Sequence, residues 1–143
     1  MSILERVQDD VKTAMKAGER DRVGALRMIV HALQQEAKEG KDDEVAALQR
    51  ERKRRIDAAE SLREGGRDDQ AAAEESEAEL IEGYLPEQLS DEELSELVTA
   101  AVEETGASEA KDMGAVMKSL MPEVGGRADG KRVSQVVREK LGA

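Results

Sequence analysis

The sequence predicts an all-α protein, a four-helix N-terminal part followed by a small three-helix C-terminal part. Three observations carry that expectation. Apolar residues recur at helical spacing in seven segments, the connections between them are short, and no alternating β-branched or aromatic run is present. The composition agrees: 38% of the 143 residues are hydrophobic, yet there is one Tyr and no Phe or Trp. The interior must therefore be built from Ala, Leu, Val, Ile and Met, which suits close-packed helices.

Ser2 with Glu5 forms a capping box, after which Leu4, Val7, Val11 and Met15 recur until Gly18. Asp21 is placed to cap a second helix with the stripe Val23, Leu26, Ile29, Val30, Leu33 and Ala37, ending near Gly40. The third helix starts at Asp42 or Asp43 and runs to Gly65-Gly66. Its stripe of Val45, Leu48, Ile56, Ala59 and Leu62 is broken by a charged run from Gln49 to Arg55, so part of it should stand clear of the core. The fourth helix begins near Asp68, becomes strongly apolar at Leu80, Ile81, Tyr84 and Leu85, and should stop at Pro86. A second capping box, Ser90 with Glu93, opens the fifth helix, which ends at Gly106. A sixth, short helix can begin at Asp112 and hold Val116, Met117, Leu120 and Met121 before Pro122; Asp129 caps the seventh, with Val133, Val136, Val137 and Leu141. The boundary falls in the segment from Leu85 to Leu89, giving domains of residues 1–86 and 87–143. The smaller one, near the lower size limit for independent folding, is expected to fold without being very stable.

Charge excludes several functions. There are 33 acidic against 22 basic residues, a formal balance of −11, with one His and no Cys. A thiol nucleophile, a disulfide framework, Cys-ligated zinc and a poly-His metal site are all ruled out, so no metal and no cofactor are expected. No apolar run approaches the roughly 20 residues needed to cross a bilayer, and the expected location is cytoplasmic. The cations are unevenly placed. Residues 87–110 carry eight acids and no base, whereas 111–143 carry seven bases and four acids, a block of +3.

The stretch Gly125 to Arg132 nearly spells a phosphate-binding loop. Arg132, however, stands where a Ser or Thr would reach magnesium, and no strand precedes it. Two readings remain. One is a Gly-rich turn followed by an Asp cap; in the other, free amides together with Arg127, Lys131 and Arg132 hold a nucleic-acid phosphate. The run Arg50 to Arg55 reads as a solvated helix face, with Glu51/Arg55 and Lys53/Asp57 as pairs four residues apart and Arg52 laying its stem along a neighbouring helix. Tyr84 is expected to pack between domains, His31 to carry no chemistry, and Met113, Met117 and Met121 to form a core stripe.

The C-terminal stretches Lys111 to Met117 and Gly126 to Lys131 with Val133 resemble the signature of the GatB/YqeY family. Ile81 to Ser90 resembles its interdomain segment, and Asp21-Arg22 with Leu26-Arg27-Met28 resembles its second helix. The resemblance implies a free-standing relative of the helical tail of the tRNA-dependent amidotransferase B subunit, a tail that helps to hold tRNA. The transamidation chemistry lies in a separate preceding domain, to which nothing here is similar. The family's association with glutamine-dependent carbon–nitrogen ligase activity therefore implies an accessory role, noncatalytic alone, with tRNA and amidotransferase subunits or a tRNA synthetase as partners. The expected RNA-binding residues are Lys111, Lys118, Gly126, Arg127, Gly130, Lys131 and Arg132, with no catalytic residue. The alternative is a helical protein–protein interaction module without RNA binding, docking through the acidic fifth helix or the Met stripe.

Overall fold

A computed structural model describes residues 1–142. Among them are seven α-helices and one 3-10 turn: α1 (Ile3–Ala17), α2 (Arg20–Lys38), α3 (Glu44–Glu64), α4 (Asp68–Glu82), α5 (Asp91–Thr105), a 3-10 turn (Ala110–Asp112), α6 (Met113–Val124) and α7 (Gly130–Leu141). The fold is all-helical; the described residues contain no strand. The chain divides into two compact units, Met1–Pro86 and a second beginning at Glu87.

In the first unit, α1 pairs with α2, and α3 forms a hairpin with α4. Val7, Ala14, Leu26, Ile29, Leu33, Leu48 and Ile81 fill its core. Ala47, Ala59, Ala71 and Ala78 are buried along the α3–α4 hairpin, where their small side chains let two backbones approach closely. The second unit packs α5, α6 and α7 around Leu94, Val98, Val116, Leu120, Val133 and Val137, each fully buried.

Most helix boundaries follow from local chemistry. Ser90 and Glu93 form the complete capping box, Asp43 accepts from the Ala46 amide, and Gly18 and Gly106 end their helices in left-handed conformation. The box at Ser2 is only half made. Ser2 accepts from the Glu5 amide, while the carboxylate that completes the cap is Glu44, reaching back from α3 to the Ile3 and Leu4 amides at 3.1 and 2.8 Å.

Four expectations are corrected. α2 begins at Arg20 behind Glu19, with no side-chain cap from Asp21. Its buried face continues from Leu33 to Glu36 rather than to Ala37. α4 ends at Glu82; Gly83 follows, and Tyr84 and Leu85 lie in turns whose amides donate to Ile81 and Glu82, before Pro86 is reached. α6 runs through Pro122 to Val124. A proline two residues from a helix end removes one amide donor, and burial of Val124 on the Val116–Leu120 stripe offsets that loss.

Tyr84, expected to pack between domains, is buried within the first unit. It belongs to the core of the first unit, its hydroxyl donates to Asp10, and the Arg6 guanidinium sits 5.5 Å from its ring centroid. Met113 and Met117 pack against the second core as expected, whereas Met121 is exposed.

Candidate functional site

The Gly-rich bend is shaped by the end of α6. Gly125 and Gly126 both take positive φ, 54° and 85°, which turns the chain sharply enough to bury Ala128 and to start α7 two residues later. Asp129 then caps α7, its Oδ1 accepting from the amides of Lys131 at 2.7 Å and Arg132 at 3.3 Å. These are the donors that a bound phosphate would need. The chain's own carboxylate occupies them, so the bend is a capped turn rather than an open cradle.

The two arginines of the bend are also engaged internally. Arg127 donates through Nε to the Val124 carbonyl at 3.2 Å and through its terminal nitrogen to the Glu123 carbonyl at 2.7 Å. A cation there satisfies carbonyls left over at the end of α6 and complements its negative terminus. Arg132 donates to the Leu89 carbonyl at 2.8 Å and to Asp91 Oδ1 at 2.7 Å. The Leu89 amide in turn donates to the Arg127 carbonyl at 2.7 Å, and the Gln88 side chain donates through Nε2 to the Gly126 carbonyl at 3.3 Å. The segment 88–91 and the bend are thereby stitched into one polar joint.

The remaining cations behave differently. Lys111 lies 3.2 Å from Glu109, and both side chains are well exposed. Lys118, Lys131, Arg138 and Lys140 are exposed, and among the described residues none of them forms an ion pair. Lys131 and Arg138 are two turns apart and share one face of α7. Gly126 and Gly130 contribute backbone to the bend and to the first residue of α7. The sequence's candidate residues thus fall into two sets: arginines that hold the fold and lysines that face solvent.

Two acids of the second unit are held ionised by local hydrogen bonds. Glu93 is lowered below the ordinary carboxylate range by its hydrogen bonds with Ser90, and Asp112 by the amides of Ser108 and Glu109. Among the described residues no group of three or more His, Asp or Glu side chains is arranged to hold a metal ion, and no helix is long and apolar enough to cross a membrane.

The charged run of α3 is less solvated than the sequence suggested. Arg55 turns inward, within 3.7 Å of Glu51 and 3.3 and 3.2 Å of Glu74 and Glu77 on α4. Burial raises the Glu77 carboxyl above its usual range, opposed by Arg55. Arg52 reaches Glu82 at 3.5 Å with most of its side chain covered, as a stem lying along the neighbouring helix should. The expected Lys53/Asp57 pair does not form; Arg54 pairs with Glu51 instead, at 2.7 Å. One pair escaped sequence reasoning altogether. Glu36, buried on α2, holds Arg50 of α3. The only signal was the position of Glu36 three residues beyond Leu33 on the buried stripe.

Two compact helical units joined at residues 86–87, with an Asp-capped Gly bend in the second, define the class of molecule: a small all-α two-unit protein. The sequence model of the Yqey-like protein family matches residues 4–141, nearly the whole chain, and the chain belongs to that family. Among curated proteins, none matches it significantly.

Proposed function

We propose that this chain is a noncatalytic accessory protein that contacts tRNA through its C-terminal unit and works beside a tRNA-dependent amidotransferase or a tRNA synthetase. The observation that carries the reading is the group of exposed C-terminal cations without ion pairs, Lys118, Lys131, Arg138 and Lys140, on a chain whose overall balance is −11. Local positive charge on an acidic body attracts a polyanion where the body as a whole repels it, which favours one docking face over indiscriminate coating. Family membership supports the reading, since the family resembles a tail that helps to hold tRNA. Arg127 and Arg132 enter it as residues that fix the bend from which α7 and Lys131 project.

A titration of the full chain with unfractionated tRNA over a series of salt concentrations tests the proposal. Each phosphate contact contributes about −0.7 to −0.9 to the slope of log affinity against log salt. The substitutions Lys118→Ala, Lys131→Ala and Arg138→Ala together should flatten that slope by about two units. Absence of binding at low salt overturns the reading, as does an unchanged slope in the triple variant.

A further inference from the structure

The first unit holds an open groove of about 660 Å³ between α2 and α3, within the size range of small-ligand sites. Its lining is far richer in cations than the molecule as a whole. Arg27, Lys41, Arg50, Arg54 and Arg55 line it, five permanent cations on a chain of net −11. Glu36, Glu39 and Glu51 are the carboxylates in its lining, and Arg55 is taken up by Glu74 and Glu77 of α4, so the cations left to face the groove are Arg27, Lys41, Arg50 and Arg54.

The arrangement follows from helix geometry. Arg27 and His31 lie one turn apart on α2, and Arg50 and Arg54 lie one turn apart on α3; both pairs line the same groove. Glu36 is buried beneath and grips Arg50, which fixes that guanidinium in the wall while leaving about half of its side chain exposed. Arg27 makes no ion pair among the described residues; its one polar contact is the Met15 sulfur at 3.8 Å. Arg54 is 71% exposed and tethered by a single carboxylate, Glu51. Lys41 is tethered as loosely, 3.5 Å from Glu39. These are cations held in place without being saturated. A ligand with more than one negative charge competes with single carboxylates for them, and guanidinium forks match phosphoryl oxygens in pairs.

We propose that the α2–α3 groove binds linked phosphoryl groups, with Arg27 and Arg54 as the direct contacts and Arg50 as the cation positioned by Glu36. The phosphoryl groups come either from a free polyphosphate or nucleotide or from an RNA backbone. The inference rests on the first unit alone and is independent of the lysines of the second.

Calorimetric titrations of the full chain at low salt with inorganic triphosphate, ATP and tRNA test it. Arg27→Gln combined with Arg54→Gln, both on exposed side chains, should weaken binding about tenfold or more while far-ultraviolet circular dichroism shows the helices intact. Glu39→Gln, which frees Lys41, should tighten it about twofold to threefold. Triphosphate and ATP binding alike assigns the site to free polyphosphate chains. Binding by tRNA alone, lost in the double variant, assigns it to an RNA backbone. Lys118→Ala with Lys131→Ala should bind triphosphate as the parent chain does, so failure of the C-terminal tRNA reading leaves this result legible. The proposal is overturned if none of the three probes binds, or if the arginine double variant binds them all as tightly as the parent.

Discussion

The two basic clusters of this chain, Arg50 to Arg55 on α3 and Arg127 to Arg132 at the bend before α7, look alike in sequence and differ in what surrounds them. At the bend, the end of α6 leaves carbonyls without partners and Arg127 fills them at Glu123 and Val124, while Arg132 takes the Leu89 carbonyl ahead of α5. The amides on the far side are taken by Asp129. Along α3 the backbone is internally satisfied, so the arginines meet only side chains, and those facing α2 keep part of their hydrogen-bonding capacity for solvent. Arg127 and Arg132 are thereby part of the structure, whereas Arg50 and Arg54 keep part of their surface open to solvent.

That contrast is sharpened most by Arg132→Ala. Two charge-assisted hydrogen bonds from a side chain 31% exposed predict a loss of about 1–2 kcal/mol in urea unfolding. Arg54→Ala, at 71% exposure, should stay within about 0.5 kcal/mol. Equal losses at the two sites would remove the distinction. Asp129→Ala comes next, at about 1 kcal/mol for a lost cap.

Gly24→Ala acts in the opposite direction. Gly24 lies inside α2 with nothing within 4 Å of an added Cβ, so the alanine should raise stability by about 0.5–1 kcal/mol. The last effect, at Tyr84, is read from the pH dependence of stability. Burial first, and then its hydrogen bond to Asp10, push the phenol pKa upward, so the neutral hydroxyl is favoured in the folded state. Its contribution is complete below the unfolded phenol pKa of about 10 and is lost as pH rises through the folded value. An alkaline unfolding series should show the parent losing stability more steeply than Tyr84→Phe.

How much was legible follows from the range of each interaction. The capping box at Ser90, the cap at Asp129 and the glycine stops are contacts within a few residues, and the helix periods carried the cores. The Glu44 cap on α1, the Glu36–Arg50 pair and the Arg132–Leu89 bond span 14 to 43 positions, and no local pattern announces them. The continuation of α6 through Pro122 was hidden for a related reason. The local cost of proline is visible in sequence, whereas the seat that receives Val124 exists only once α5 and α7 are packed. Family resemblance reached the fold and the class of protein, and the candidate residues were found as a set. Their division into holders and exposed contacts needed coordinates.

The most direct test of this division is a side-by-side tRNA titration of Arg132→Ala and of Lys118→Ala with Lys131→Ala, each read for salt slope and for urea stability. The account predicts that the arginine variant loses stability and keeps its slope, and that the lysine variant keeps stability and flattens the slope. The reverse pattern, with the arginine setting the slope and the lysines setting stability, would contradict it.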